Sequence, residues 1–164
     1  MKILFINTGG TFNKIYNKIN GKLVVPKSDE VLKKVLNSTG GNFESEIVGT
    51  IYKDSLEMTE EDREKIFDIL LDTDTKNVVI IHGTDTIKET AEYLSDKIFG
   101  KRIVLVGAMK PILFDSIDGS LNLGVALGFL QSEPFDGIYI SMSGLVSPFN
   151  KIEKDRKAGI FKSI

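Results

Sequence analysis

Two short loops rich in threonine and glycine contain the side chains of this 164-residue chain that are best suited to chemistry. The first loop is Thr8-Gly9-Gly10-Thr11, and the second is His82-Gly83-Thr84-Asp85-Thr86. Together they supply hydroxyl groups, accessible backbone N–H groups and one carboxylate. A threonine hydroxyl is a weak nucleophile at neutral pH, so such chemistry also needs a base and an oxyanion site nearby. Candidates for the base are a lysine that is paired with an aspartate, or a tyrosine of the polar segment 12–22.

A third polar loop, Asp54-Ser55-Leu56-Glu57-Met58-Thr59, adds the hydroxyl group of Ser55. Each of the three loops also has a purely structural interpretation, and these interpretations stay open. The glycine pair could form a turn with positive φ, or a nest of N–H groups that binds an anion. Thr84 or Asp85 could cap a helix that begins at Thr86, although a cap explains one of these residues and not all three.

The elements that must position these loops alternate between strands and helices. Strands are predicted at 2–7, 43–51, 77–82, 102–106 and 137–142, with a weak one at 160–161, and helices at 28–36, after 59, at 87–98 and at 118–131. This alternation predicts one α/β domain over residues 1–164, a three-layer sandwich with a central, mainly parallel sheet. Loops at the carboxyl ends of neighbouring parallel strands converge on one crevice, so the three polar loops are expected to meet there.

Two further segments have a predicted role in the site or in assembly. The helix at 118–131 is apolar on nearly all sides, which indicates that it is covered twice. In a domain of this size the second cover is expected to be another subunit, so we predict a homo-oligomer. The segment 12–22 is polar and contains Tyr16, and it is the best candidate for a lid over the crevice.

The composition excludes several classes of function. The net charge is −2 and the basic residues are dispersed, which argues against a nucleic-acid partner, and no apolar run reaches the length of a membrane span. The chain has no cysteine, which excludes thiol nucleophiles and is compatible with the predicted location, a reducing cytoplasm. His82 is the only histidine, so a His-rich metal site is excluded, and neither a metal nor a cofactor is expected. We interpret His82 as a residue at a strand end that is held by hydrogen bonds.

Four motifs taken in order resemble those of the bacterial-type L-asparaginases. They are Thr-Gly-Gly-Thr at 8–11, Asp-Ser-x-x-Met-Thr at 54–59, His-Gly-Thr-Asp-Thr at 82–86 and Val-Gly-Ala-Met-Lys-Pro at 106–111. Their order and spacing match, and the similarity extends through nearly the whole chain. The resemblance implies the fold of the family's N-terminal domain. It also implies an amidohydrolase that converts L-asparagine, or a related small amide, to aspartate and ammonia through a threonine acyl-enzyme.

The same resemblance assigns roles to individual residues of this chain. Thr11 takes the position of the nucleophile, and Thr84, Asp85 and Lys154 form the second catalytic group. Ser55, Thr84 and Asp85 are the expected substrate-binding residues, with Ser55 and Asp85 holding the α-carboxylate and the α-amino group. Lys154 matches better than Lys162, which falls in a separate segment of the family.

The chain also departs from the family pattern. Family members are about twice as long, and a smaller C-terminal domain completes their active site across a subunit boundary. An acid from that domain, expected to assist a lid tyrosine, has no counterpart here, and Leu56 stands where a polar residue is common. Two alternatives to the enzyme therefore stay open: a catalytically weak protein that binds acidic amino acids, and a subunit that needs a partner chain. The choice among asparagine, glutamine and a peptide-linked amide is also open.

Overall fold

A six-stranded sheet forms the centre of the computed structural model, which describes residues 1–164. The strands of the whole chain are β1 (Lys2–Gly9), β2 (Ile15–Asn17), β3 (Lys22–Val24), β4 (Glu44–Lys53), β5 (Asn77–Ile81), β6 (Arg102–Val106), β7 (Gly137–Met142), β8 (Leu145–Pro148), β9 (Ile152–Asp155) and β10 (Ile160–Ser163). The order in the central sheet is β4-β1-β5-β6-β7-β8, with parallel pairing everywhere except between β7 and β8. Two antiparallel hairpins, β2–β3 and β9–β10, lie outside this sheet.

Four helices cover the two faces of the sheet. They are α1 (Glu30–Asn37), α2 (Glu60–Asp72), α3 (Ile87–Ser95) and α4 (Ser116–Gln131). The buried side chains of α2 and α3 belong to the apolar cluster on one face, and those of α1 and α4 belong to the cluster on the other. The α/β fold and the mainly parallel sheet predicted from the sequence are therefore confirmed.

The central strands are buried on both faces, which explains their unbroken apolar sequences. In β5, Val78 and Ile80 point into the α2–α3 cluster, whereas Val79 and Ile81 point into the α1–α4 cluster. All four side chains are fully buried. Successive residues of a strand face opposite sides, so each buried strand joins the two halves of the core.

The connection that contains α4 has the opposite hand to the other crossovers. Both α3 and α4 connect parallel strands in the same direction across the sheet, yet they lie on opposite faces. The crossovers through α1, α2 and α3 share one hand, and about 98% of such crossovers are right-handed, so the α4 crossover is left-handed. This hand places α4 on the same face as α1 and beside the residues that follow β1.

The structure corrects several boundaries that were expected from the sequence. The segment 12–22 contains the β2–β3 hairpin, and the region after Ser143 contains three strands, of which only β10 was expected. The helix expected at 118–131 begins at Ser116. The helix after Thr59 begins as expected, because Thr59 and Asp62 form a reciprocal capping box.

His82 follows β5 directly and is completely buried. Its Nδ1 lies 2.8 Å from the Gly83 carbonyl oxygen, and its Nε2 lies 2.8 Å from Oγ1 of Thr90. The Nε–H of Arg63 donates to the same Thr90 oxygen at 3.1 Å. Burial lowers the pKa of His82 to about 4, so the ring is neutral at pH 7. The carbonyl partner assigns the proton to Nδ1, and Nε2 then accepts the Thr90 hydroxyl hydrogen. Hydrogen bonds thus hold His82 at the strand end.

We expect the free energy of unfolding to decrease as the pH falls from about 6.5 to about 4. In this window His82 of the unfolded chain binds a proton that the folded protein excludes, so protonation favours the unfolded state. The difference between the pKa of His82 in the unfolded chain and in the folded protein corresponds to a decrease of about 3 kcal/mol in the free energy of unfolding. Urea unfolding at a series of pH values measures it.

The variant His82→Gln is the control for this experiment, because the chain has no other histidine. Its absolute stability is not compared with that of the wild type; only the change with pH is compared. The variant should lose most of the decrease between about pH 6.5 and about pH 4.5. An equally steep decrease in both proteins would contradict the assignment.

Candidate functional site

Three polar loops contact one another at the carboxyl ends of β1, β4 and β5, which are neighbours in the sheet. These contacts leave no room for a side chain at Gly10 or Gly83. A Cβ atom on Gly10 would lie 2.5 Å from the Gly83 nitrogen, and a Cβ atom on Gly83 would lie 2.6 Å from both Cβ and Oγ of Ser55. Gly10 also has φ +72°, a conformation that disfavours other residues. The loops of Thr11, Ser55 and Thr84 are therefore brought to one place.

Ser55, from a different loop, holds the backbone just before helix α3, whose N-cap residue Thr86 has no side-chain cap. Its Oγ accepts hydrogen bonds from the backbone N–H groups of Asp85 at 3.2 Å and Thr86 at 3.3 Å. The Thr86 hydroxyl donates in return to the Ser55 carbonyl at 2.8 Å. The alternative in which Thr84 or Asp85 caps this helix is therefore wrong. Because the Ser55 oxygen accepts two hydrogen bonds, its hydroxyl hydrogen is the group that it can still donate.

Lys154 joins the second predicted catalytic group. From strand β9, its Nζ donates to Oγ1 of Thr84 at 2.9 Å and to Oδ1 of Asp85 at 2.8 Å. The Lys154 side chain is only 15% exposed, which strengthens both contacts. Lys162 lies elsewhere and pairs with Asp155 at 3.2 Å. The structure thus brings Thr84, Asp85 and Lys154 together, as expected from the sequence.

A second cation at Asp85 was not expected from the sequence. Arg156 donates through Nη1 to Oδ1 of Asp85 at 2.7 Å, the same oxygen that Lys154 contacts. The hydrogen bond from Lys154 lowers the pKa of Asp85; burial opposes this change, and Arg156 lowers the pKa further. Arg156 lies in the turn that follows β9, so no strand periodicity indicated its contact with Asp85.

Thr11 is partly exposed at the start of a 3-10 turn, Thr11–Asn13. The next residue, Phe12, is fully buried in the α1–α4 cluster, and its carbonyl accepts from the Ile112 N–H at 3.4 Å. These contacts fix the backbone of the turn. The Thr11 hydroxyl itself takes part in no hydrogen bond with the protein, so it is free to contact a ligand, but no base of this chain activates it.

Two buried asparagines hold the ends of the Thr11 loop. The Asn13 side-chain amide donates to Oδ1 of Asn7 at 2.8 Å and to the Gly9 carbonyl at 2.7 Å. The Gly9 N–H donates to the same Asn7 oxygen at 3.3 Å, and Asn7 donates to Asp29 at 2.8 Å. These two asparagines were not expected from the sequence, although a pair of amide side chains flanking two glycines indicates a loop held by side-chain hydrogen bonds.

The segment predicted to be a lid is attached to the Ser55 loop by an ion pair. Nζ of Lys14 lies 2.7 Å from Oδ2 of Asp54. Burial would raise the pKa of Asp54, but the hydrogen bonds from Lys14 and from the Leu56 N–H outweigh it and lower the pKa. Tyr16 is about half exposed, and its hydroxyl lies against Gly21 in the turn of the β2–β3 hairpin. Tyr16 is thus not hydrogen-bonded to Thr11.

The loop that follows β6 contains the fourth sequence motif and packs against Thr84. Gly107 lies against the Thr84 methyl group, and its carbonyl accepts from the Asn122 side chain at 3.1 Å. The Asp118 carboxylate accepts from the Met109 N–H at 2.6 Å. The first two turns of α4 therefore support one wall of the site.

The helices of the chain include none that is both long and apolar enough to cross a membrane.

Comparisons with known proteins match this chain to asparaginases along nearly its whole length. The family model "Asparaginase, N-terminal" matches residues 2–161. The L-asparaginase of Thermococcus kodakarensis is 30% identical over 173 residues, covering 100% of this chain and 51% of that protein. The solved structure of the thermostable L-asparaginase from this organism superposes with a TM-score of 0.86 at 28% identity, covering 100% of this chain and 51% of that one. A glutaminase-asparaginase of Acinetobacter glutaminasificans is 36% identical over 93 residues, covering 55% of this chain and 28% of that protein. The chain thus spans about half the length of the T. kodakarensis protein, or less in other cases.

We expect Gly10→Ala to destabilise the protein far more than Gly100→Ala. Both glycines have φ +72°, so alanine is strained at both positions, and Gly10 combines this φ with ψ −178°, a conformation almost restricted to glycine that costs about 1–3 kcal/mol for other residues. Only Gly10 faces another backbone, whereas nothing lies within 4 Å of a Cβ at Gly100. The collision should add roughly 1–3 kcal/mol. Urea unfolding of both variants measures the difference, and equal losses would contradict the close contact of the two loops.

Proposed function

Because this chain belongs to the asparaginase family, we propose that it hydrolyses the side-chain amide of L-asparagine, or of a related small amide, to a carboxylic acid and ammonia. The observation that carries the proposal is the position of Lys154, 2.9 Å from the Thr84 hydroxyl and 2.8 Å from the Asp85 carboxylate. Thr84 and Asp85 lie on the loop that contacts the Thr11 loop through Gly10 and Gly83.

In the proposed reaction the substrate is held between the Ser55 and Thr84 loops. Ser55 donates its hydroxyl hydrogen to the α-carboxylate, because its oxygen already accepts two N–H groups. Oδ2 of Asp85 faces the α-amino group, since both protein cations contact Oδ1. The binding groups thus match the two charged ends of an amino acid.

Acylation begins when Oγ1 of Thr11 attacks the amide carbon. A carbon–oxygen bond forms, and the hydroxyl proton passes to the amide nitrogen, which then leaves as ammonia. The negative charge that develops on the carbonyl oxygen requires a donor, and the Thr84 N–H has no acceptor in the chain. The product of this step is an ester between the substrate acyl group and Thr11.

Deacylation uses a water molecule and the Thr84–Lys154 pair. Thr84 accepts a hydrogen bond from Lys154, and its hydroxyl can take a proton from water while its own proton passes to the oxygen of Thr11. The water oxygen bonds to the ester carbon, and the bond to Thr11 breaks as the oxygen of Thr11 regains a proton. Asp85 balances the charge on Lys154 throughout.

One observation favours a second candidate, in which the chain binds an acidic amino acid and needs a partner chain for turnover. The Thr11 hydroxyl contacts no base, and Tyr16 lies over its own hairpin. A partner could supply the missing base. Calorimetric binding of L-aspartate without release of ammonia from L-asparagine would select this alternative.

The outer face of α4 supports the proposed homo-oligomer. The inner face packs on the sheet through Leu123, Ala126, Leu127 and Leu130. On the outside, Ile117 is 75% exposed and Leu121 is 53% exposed. An apolar strip of this kind is typical of an interface. We further propose a cytoplasmic location, since the chain contains no cysteine.

Loss of the two threonine hydroxyls and of the Lys154 charge should each abolish most of the activity. We expect Thr11→Ala to reduce turnover of L-asparagine to background, because the acyl-enzyme cannot form. Thr84→Val and Lys154→Met should each reduce it by about a hundredfold or more. Release of ammonia measures these effects, and the exposed Lys151→Met is the matched control. Turnover that is indifferent to Thr84→Val would contradict the assigned roles.

Substitution on the outer face of α4 should reduce the mass of the particle in solution. Leu121→Lys places a charge in the proposed interface, so we expect a smaller species by size-exclusion chromatography with light scattering. Leu71→Lys is the control, because Leu71 is similarly exposed on α2, far from this strip. Identical masses for the wild type and Leu121→Lys would contradict an interface at this face.

A further inference from the structure

The β9–β10 hairpin presents two cations to one carboxylate. Lys154 lies on strand β9, and Arg156 lies in the turn that follows it. Nζ of Lys154 lies 2.8 Å from Oδ1 of Asp85, and Nη1 of Arg156 lies 2.7 Å from the same oxygen. A second nitrogen of Arg156 lies 3.4 Å from the Asp85 backbone carbonyl. Arg156 therefore contacts both the side chain and the backbone of Asp85.

The turn after β9 fixes the position of Arg156. Oδ1 of Asp155 accepts from the backbone N–H groups of Lys157 and Ala158, each at 3.0 Å. The Gly159 N–H donates to the Asp155 carbonyl at 2.8 Å and closes the turn. Because the side chain of Asp155 holds the turn from within, Arg156 leaves it in a defined direction, toward Asp85.

The charges at this point leave Asp85 more than neutralised. One carboxylate faces two cations, Lys154 and Arg156. The neighbouring ion pair of Lys14 and Asp54 adds no net charge. A substrate α-ammonium group that approached Asp85 would be a third cation, repelled by two others that already share the carboxylate. An anionic carboxylate of the substrate would meet no such repulsion.

We propose that Arg156 determines the substrate class, favouring side-chain amides whose α-nitrogen is acylated or absent over free amino acids with an α-ammonium group. This inference rests on the proposed function and sharpens it. Lys154 serves the chemistry, whereas the charge of Arg156 on Oδ1 of Asp85 weakens the attraction of this carboxylate for an α-ammonium group that approaches Oδ2. The preferred substrate is then the ω-amide of a carboxylic acid, such as one linked through its α-nitrogen to a peptide.

The test compares two substrates that differ in the charge at the α-position: L-asparagine and succinamate, the monoamide of succinate. The wild type should have the higher kcat/KM for succinamate. In Arg156→Gln, the ratio of kcat/KM for L-asparagine to that for succinamate should rise about tenfold, which corresponds to about 1.4 kcal/mol. Arg156→Lys keeps the charge and should keep the ratio within about twofold of the wild-type value.

Lys157→Gln is the matched control, because it removes the same charge from the same turn without a contact to Asp85. It should leave the ratio within about twofold of the wild-type value. An unchanged ratio in Arg156→Gln, or an equal change in Lys157→Gln, would overturn the role of Arg156. N-acetyl-L-asparagine should behave like succinamate, and behaviour like that of L-asparagine would also overturn it.

A calorimetric version separates this inference from the proposed hydrolysis. If the wild type releases ammonia from none of these amides, the hydrolysis is wrong, and the comparison moves to L-aspartate and succinate as ligands. Arg156→Gln should then raise the affinity for L-aspartate relative to succinate by about tenfold. The same relative affinity in both proteins, or no binding of either acid, would overturn the inference itself.

Discussion

The whole site depends on the close approach of three loops at Gly10, Gly83 and Ser55. Parallel neighbours in the order β4-β1-β5 bring three loops to one edge of the sheet, but side chains would normally keep these loops apart. Glycine at two of the three positions removes that separation. Ser55 then comes close enough to hydrogen-bond the backbone of Asp85 and Thr86, and this fixes the segment that leads into α3. One steric condition thus sets the positions of residues from three separate segments.

Asp85 is the electrostatic centre of the cluster. Its carboxylate stays charged because Lys154 and Arg156 both hydrogen-bond to it, which lowers its pKa. Charge-assisted hydrogen bonds of this kind are stronger than neutral ones, and the limited exposure of Lys154 protects them from water. The cluster is therefore rigid and carries an excess of positive charge. Its two cations come from different parts of the hairpin. Lys154 comes from strand β9, whereas Arg156 comes from the turn that Asp155 stabilises.

Much of the fold could be predicted from the sequence, because the buried strands have unbroken apolar runs and the helices have periodic ones. The pairing of Lys154 with Asp85 was predictable for another reason, namely the family resemblance. The hydrogen bonds of Ser55 to the backbone before α3 were not predictable, because they join residues that lie 30 and 31 positions apart in different loops. Strand β9 was also missed, since Ile152-Glu153-Lys154-Asp155 is mostly charged and lies outside the main sheet, where burial does not impose an apolar pattern. Arg156 was overlooked along with that strand.

The hydrogen bond between Lys154 and Thr84 joins residues 70 positions apart, and this separation has a consequence for biosynthesis. A nascent chain emerging from the ribosome contains Thr11, Ser55 and Thr84 long before it contains their cation. Contacts of such separation form late, because the intervening loop must be closed before they are made. Until the β9–β10 hairpin docks, Asp85 therefore has no positive partner, and the group of Thr84, Asp85 and Lys154 is incomplete.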